Sequence, residues 1–153
     1  MAVQYRQAGH SDIPEVARIR AKNWGTEEYW DNRISGYLNC EHHPQHALMP
    51  RVMYAAFETE NMAGFIAGHL TQRLGCNGEL EWIDTIQEYR NRGIASGLLR
   101  LLAAWFVEQK SLRVCIDVDP ANSPAQHFYR KHGAENLNEH WLFWKDISVV
   151  LKY

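Results

Sequence analysis

YRNRGIASGLL, residues 89–99, is the stretch from which the fold of this chain can be predicted. It joins a predicted strand, residues 79–86, directly to the clearest predicted helix, residues 93–109. Gly93 and Ala95 are small where the chain turns into that helix, so backbone N–H groups can approach a ligand closely. The first turn of a helix has unpaired N–H donors and a partial positive charge, both of which suit phosphate. The stretch therefore predicts an anion site of the kind that holds a diphosphate.

Two other phosphate-binding motifs do not fit the same stretch. A P-loop requires Gly-Lys-Ser/Thr, and no Lys follows Gly93. The dinucleotide fingerprint GxGxxG is absent. Arg90 and Arg92 add fixed positive charge at the rim of the predicted site. The remaining alternative is a glycine turn before a basic helix start, with no ligand.

The elements outward from this stretch alternate between strand and helix periodicity. Predicted strands cover residues 3–6, 53–57, 64–70, 79–86, 112–118 and 141–151, and predicted helices open at residues 12–15 and cover 26–38, 93–109 and 124–131. No internal repeat, low-complexity tract or linker interrupts the chain. We therefore expect one α+β domain over residues 1–153.

Helix caps and turns support these boundaries. Asp12 with Glu15 three residues later predicts a capping box, and Pro14 suits the first helical turn. Thr26 is the predicted cap of the second helix. Residues 41–50 form a predicted polar loop rich in His and Pro.

Composition excludes several classes of protein. The chain has 153 residues, a formal net charge of -2 and a pI near 6.4, whereas a dedicated nucleic-acid binder is normally basic. No apolar run is long enough to span a bilayer and no signal peptide is recognisable, so we expect a cytoplasmic protein with no membrane partner. Cys40, Cys76 and Cys115 are scattered without a CxxC pair, which indicates reduced thiols and no metal site.

Two motifs in register resemble the GNAT superfamily of N-acetyltransferases. Residues 90–95 read RNRGIA and meet the pattern Arg/Gln-x-x-Gly-x-Gly/Ala. Residues 122–133 meet the second pattern, Asn-x-x-Ala-x-x-Phe/Leu-Tyr-x-x-x-Gly. The resemblance is specific over residues 79–133. Gln87, Thr85 and Ala134 depart from the usual Pro, Val and Phe, and none of them removes a group that the chemistry requires.

The resemblance implies a GNAT fold, with a mixed, mostly antiparallel sheet of six to seven strands, about four flanking helices and two central strands that splay apart. It also implies acetyl-CoA as co-substrate, with the pantetheine arm between the splayed strands and the diphosphate on the helix start. The residues implied in binding the cofactor are Ile83, Asp84, Thr85, Arg90, Asn91, Arg92, Gly93, Ile94, Ala95, Ser96, Asn122 and Tyr129. Asn122 can equally serve as a helix cap.

The implied chemistry is direct attack of an amine on the thioester in a ternary complex, without a metal. Glu79 and Glu81 are the candidate bases, since residues two apart on a strand share a face, and Glu79 matches the position of the family's catalytic glutamate. A water chain is the alternative to both. Tyr129 occupies the general-acid position and can protonate the departing thiolate.

The acceptor is not identified by the sequence. The resemblance places it near the first two helices, where Trp24, Tyr29, Trp30 and Tyr37 lie among acidic residues and form either a pocket for a cationic amine or a core stripe. A small amine, an amino acid, an antibiotic and a protein amine all stay open, as does a homodimer. The rival from another class is a non-catalytic acyl-CoA-binding module.

Overall fold

The computed structural model describes residues 2–41, 44 and 46–152. Its strands and α-helices, in chain order, are β1 Gln4–Gln7, α1 Ile13–Ala21, α2 Glu27–Leu38, β2 Ala47–Glu58, β3 Asn61–Thr71, β4 Gly78–Thr85, α3 Ile94–Glu108, β5 Val114–Asp117, α4 Ser123–Lys131, β6 Glu135–Asn136 and β7 Trp141–Trp144. The strands form one sheet in the order β1-β2-β3-β4-β5-β7-β6. Every adjacent pair is antiparallel except β4 and β5, which are parallel.

Two apolar layers sit on opposite faces of the sheet. On one face α1 and α2 bury Val16, Trp30 and Ile34. On the other face α3 buries Leu98 and Leu102, and α4 and the carboxyl-terminal segment complete that layer. The sheet therefore separates the side of α1 and α2 from the side of α3 and α4. No helix of the described chain is both long and apolar enough to cross a bilayer.

The parallel strands β4 and β5 meet over two residue pairs and then part. The pairs are Gly78 with Val114 and Glu79 with Cys115. Beyond Glu79, the edge of β4 that faces β5 has no strand partner among the described residues, although its other edge stays paired with β3 as far as Thr85. The predicted splay of the two central strands is thus observed, and it opens a gap in the middle of the sheet.

β4 also contains a bulge. Ala67 of β3 pairs with Trp82 and the next residue, Gly68, pairs with Leu80, so Glu81 has no partner on β3. Leu80 packs in the layer of α3 whereas Trp82 packs in the layer of α2. Regular alternation would have placed both side chains on the same face.

Several predicted boundaries were wrong. The predicted strand 141–151 is β7 for only its first four residues, and a 3-10 helix, Ile147–Lys152, follows because Ile147 and Val150 pack onto the α3 layer. The predicted loop 41–50 is shorter than expected, because β2 begins at Ala47, six residues before the predicted strand 53–57. The short strand β6 was not predicted.

The capping-box prediction for α1 was also wrong. Thr26 caps α2 as expected, accepting a hydrogen bond of 3.0 Å from the Tyr29 amide. Asp12 does not cap α1, because its carboxylate accepts two hydrogen bonds from Arg6 at 2.8 and 2.9 Å and one from the amide of Gly9. Glu15 pairs with Arg18 instead.

Candidate functional site

The amino end of α3 forms an open cradle of backbone amides. Gly93 precedes the helix with a φ of 80°, in the left-handed region, and no atom lies within 4 Å of where its Cβ would be. The first α-helical hydrogen bond runs from the Gly97 amide to the Gly93 carbonyl at 3.0 Å. The amides of Ile94, Ala95 and Ser96 are therefore left without an acceptor inside the helix. The start of α3 therefore offers the free amides that the sequence predicts, with open space beside Gly93.

The two arginines of the cradle differ in their contacts. Arg90 donates from Nε to the Thr85 carbonyl at 3.4 Å, so it spans from the cradle to the end of β4. Arg92 instead pairs with Glu58 at 2.9 Å, and its guanidinium lies over the Tyr89 ring. The sequence predicts the same role for both arginines at the rim of the cradle, whereas the structure pairs Arg92 with the Glu58 carboxylate of β2.

A side-chain contact links the cradle to the end of α4. The Ser96 hydroxyl lies 3.0 Å from Nε2 of His132, a buried residue at the carboxyl-terminal cap of α4. Burial lowers the pKa of this imidazole, and Lys131 and Arg100 lower it further, which favours the neutral ring. This contact could not be predicted from the sequence, because the two residues are 36 positions apart.

Ile83, Asp84 and Thr85 end β4 beside the gap. Ile83 packs against the layer of α3. The Asp84 carboxylate turns to the other face, accepting hydrogen bonds from Arg20 at 2.9 Å and Asn23 at 3.1 Å. Burial raises the pKa of Asp84, although the Arg20 charge opposes that effect. The side chain of Asp84 thus ties the end of β4 to α1, and its backbone remains at the edge of the gap.

Tyr129, on α4, packs in the apolar layer of α3, near enough to Asp84 at the end of β4 to feel its charge. Its side chain is only 5% exposed, and its ring packs edge-on against Trp144 with centroids 6.0 Å apart. Its hydroxyl makes no hydrogen bond to any described residue. Burial raises the pKa of this hydroxyl above its usual value, and the charge of Asp84 raises it further. A phenol in this setting stays protonated at neutral pH and can donate a proton.

Asn122 begins α4 as its cap. Its Oδ1 accepts a hydrogen bond of 3.2 Å from the amide of Ala125. That bond uses the amide oxygen, so the Nδ2 group is left to donate elsewhere. The residue is exposed.

Glu79 and Glu81 meet His69 on the face of the sheet that carries α2. One ligand atom of each of these three residues lies within 4.8 Å of the other two. The expectation that the two glutamates lie together is met, although the bulge, and not regular alternation, brings Glu81 into place. Arg73 donates to Glu79 at 3.1 Å, and its guanidinium lies over the Trp141 ring.

The sequence did not identify three residues of this cluster. In the sequence His69 is an isolated histidine, Arg73 belongs to no motif, and Tyr37 belongs to the aromatic stripe of the second predicted helix. The structure joins them, because the Tyr37 hydroxyl lies 2.7 Å from Nδ1 of His69 and both residues are fully buried. One available signal was a histidine inside the otherwise apolar strand β3.

The aromatic residues near α1 and α2 divide into core and surface. Trp30 and Tyr37 are buried, whereas Trp24 is 56% exposed and Tyr29 is 42% exposed. Beside them, an open cavity of about 220 Å³ is lined by Pro14, Ala17, Glu27, Glu28, Asp31 and Asn32. The helical stripe is therefore mostly core, with an exposed aromatic pair at its amino end.

The remaining sequence-level candidates contribute little to this site. His42 and His43 lie outside the described residues. Cys76 and Cys115 are buried free thiols that pack with Phe143.

The sequence matches the model of the Acetyltransferase (GNAT) family over residues 14–134. No curated protein sequence matches the chain significantly.

Ard1 from Thermoplasma volcanium superposes with a TM-score of 0.74 and 20% identity, covering 95% of this chain and 98% of that one. PaiA N-acetyltransferase from Thermoplasma acidophilum, solved in complex with coenzyme A, gives 0.69 and 20% identity, covering 95% and 99%. The ribosomal-protein-S18-alanine N-acetyltransferase of Escherichia coli gives 0.68 and 14% identity, covering 90% and 80%. At these identities the likeness establishes a shared fold.

Proposed function

Because this chain belongs to the GNAT acetyltransferase family, we propose that it transfers an acetyl group from acetyl-CoA to a primary amine by direct attack in a ternary complex. The observation that carries the proposal is the gap between β4 and β5, with an amide cradle at the amino end of α3 beside it. A strand-like gap suits an extended arm that contains amides, and a helix start suits a diphosphate.

The cradle and the gap supply the binding groups. The amides of Ile94 to Ser96 would hold the diphosphate, with Arg90 as the nearer fixed charge. The free edge of β4, residues 83–85, would pair with the amides of the pantetheine arm as an added strand does. Nδ2 of Asn122, which the capping bond leaves available, would donate to the same arm.

Two kinds of group then serve the reaction. A backbone N–H at the end of β4 would stabilise the oxyanion that forms when the amine attacks the thioester carbonyl. The Tyr129 hydroxyl, which burial keeps protonated, would give its proton to the departing thiolate. The amine must first lose a proton to a base, for which the sheet offers Glu79 and Glu81 on the face of α2.

Acetyl-CoA binding tests the cradle directly, through Gly93→Ala. An alanine held at a φ of 80° costs about 1–2 kcal/mol. Relief of that strain would move the amides away from the anion, so we expect the Kd measured by calorimetry to rise about 5–30-fold. Gly75→Ala is the matched control, since Gly75 has a φ of 74° and equally open surroundings but lies in the turn before β4.

Catalysis is tested by thiol release from acetyl-CoA with a panel of amines: a lysine peptide, a peptide with a free amino terminus, spermidine and an aminoglycoside. Binding of acetyl-CoA without thiol release on any of them would indicate a non-catalytic binding module. An unchanged Kd for Gly93→Ala would refute the placement of the diphosphate.

A further inference from the structure

The Glu79 carboxylate is contacted by two side chains, those of Arg73 and His69. It is 4% exposed, although it lies at the point where β4 and β5 part. Its Oε1 accepts from Nε of Arg73 at 3.1 Å and lies 3.5 Å from Nε2 of His69. A carboxylate with an arginine hydrogen bond and an imidazole contact on the same oxygen has little freedom to reach a substrate.

The contact at Nδ1 of His69 determines which ring nitrogen carries the hydrogen. The Tyr37 hydroxyl is buried, and its hydrogen-bond partner among the described residues is Nδ1 of His69, at 2.7 Å. Burial raises the pKa of Tyr37 well above its usual value, so this hydroxyl keeps its hydrogen and donates it to Nδ1. Because Nδ1 accepts that hydrogen bond, the ring hydrogen of His69 lies on Nε2, the nitrogen that faces Glu79.

Glu81 differs from Glu79 in each of these respects. It is the bulged residue, without a partner on β3, and it is half-buried where Glu79 is buried. It makes no hydrogen bond to a described residue. The charged and titratable groups around it are Glu79 on the same strand, His69 on β3, Arg73 in the turn before β4, and Arg33 and Tyr37 on α2. Burial raises the pKa of Glu81, and the negative charge of Glu79 raises it further, which strengthens it as a base.

The sheet places both glutamates on the face opposite the cradle. Glu79 lies across from His69, whose Nδ1 contacts Tyr37 of α2, whereas the cradle belongs to α3 on the other face. An acyl donor seated on the cradle would reach through the gap from the side of α3, which leaves the side of α2 for the amine.

Resting on the proposed transferase function, we propose that Glu81 is the base that takes the proton from the acceptor ammonium, and that Glu79, fixed by Arg73 and the Tyr37–His69 pair, is a positioning residue that does not itself exchange protons. The resemblance to the family assigns the catalytic role to Glu79 instead, whereas here Arg73 and His69 contact the Glu79 carboxylate.

The proton balance closes with the groups named. The ammonium gives one proton to the Glu81 carboxylate, and the neutral amine forms a C–N bond to the thioester carbon. The C–S bond then breaks, and the Tyr129 hydroxyl gives its proton to the sulfur. The new amide nitrogen loses its second proton, which restores Tyr129 through solvent, and Glu81 releases its proton to solvent. One proton is released for each acetyl group transferred.

The test compares Glu81→Gln with Glu79→Gln in pH profiles of kcat/KM, using the panel amine that gives the fastest thiol release. Without its base, the Glu81→Gln enzyme depends on the free amine, so we expect a loss of about 10²–10³-fold at pH 7 and a rate that rises about tenfold per pH unit. Glu79→Gln removes a negative charge beside Glu81, so its acidic limb moves to lower pH while the profile keeps the shape of the wild type. Glu108→Gln, at the far end of α3, is the matched control and should leave the profile unchanged.

Arg73→Gln provides a second test if Glu79→Gln does not fold. Removing a positive charge near Glu81 should move the acidic limb to higher pH, opposite to the Glu79 variant. A Glu81→Gln enzyme at the wild-type rate, or one slowed without a change in the shape of its profile, overturns the proposal, as does an acidic limb that neither neighbour moves. Wild-type protein that releases no thiol with any amine refutes the transferase function itself, which is a separate outcome.

Discussion

Tyr129→Phe tests the general acid with little disturbance to the fold. The substitution removes one oxygen from a side chain that is 5% exposed and packed against Trp144 and Phe128. No hydrogen bond to a described residue is lost with it. The aromatic contacts remain, so we expect the free energy of unfolding to change by less than about 1 kcal/mol.

The effect on turnover should be much larger. Loss of a positioned general acid typically costs about 10²–10⁴-fold, which corresponds to about 3–5 kcal/mol in the barrier. Because burial and the Asp84 charge raise the pKa of Tyr129, the wild-type hydroxyl stays protonated across the neutral range. The ratio of wild-type to variant turnover should therefore stay constant from about pH 6 to pH 9.

The assay is thiol release at saturating acetyl-CoA, with calorimetry for affinity and thermal unfolding for stability. Acetyl-CoA affinity should change little, since the hydroxyl acts on the leaving group. Tyr54→Phe is the matched control, because Tyr54 is a half-buried tyrosine of β2 near Glu108, at the other end of α3. Turnover of Tyr129→Phe within twofold of the wild type would refute the assignment.

Two further predictions concern the ends of helices. Asn122→Ala should destabilise the protein by about 1 kcal/mol through loss of the α4 cap, and it should also weaken acetyl-CoA binding. Asn122→Ser should restore the stability, measured by thermal melts, but not the affinity, measured by calorimetry. Asp12→Asn should be less stable than the wild type at pH 7, because Arg6 and the Gly9 amide lower the pKa of Asp12. A depressed folded-state pKa contributes stability above the unfolded value of about 3.9 that is lost as the pH falls. Urea titrations should therefore show the difference shrinking below about pH 4, and a gap that is the same at pH 7 and pH 3 would contradict the assignment.

Features that depend on neighbouring residues could be predicted from the sequence. The predicted helix 93–109 differs from α3 by one residue at each end, since its leucine spacing and the glycine before it are local signals. The caps at Thr26 and Asn122 were predicted for the same reason. The GNAT fold and the cradle followed from two motifs in register.

Features that depend on distant partners could not be predicted. Asp12 is a suitable cap residue by its position, yet Arg6 of β1 takes its carboxylate. Arg92 is a suitable phosphate ligand by its position, yet Glu58, 34 residues away, takes its guanidinium. The association of His69 with Glu79 depends on the pairing register of β3 and β4, which alternating polarity alone does not determine.

The bulge in β4 has a consequence for how the fold and the chemistry divide the strand between them. Gly68 pairs with Leu80 and Ala67 with Trp82, so excision of Glu81 would leave a continuous ladder. Leu80 and Trp82 would become sequence neighbours on opposite faces, where their side chains already pack. The sheet thus has no architectural need for residue 81. The strand carries one amino acid more than its pairing uses, and what that surplus residue adds is a single unpaired carboxylate beside the opening in the sheet.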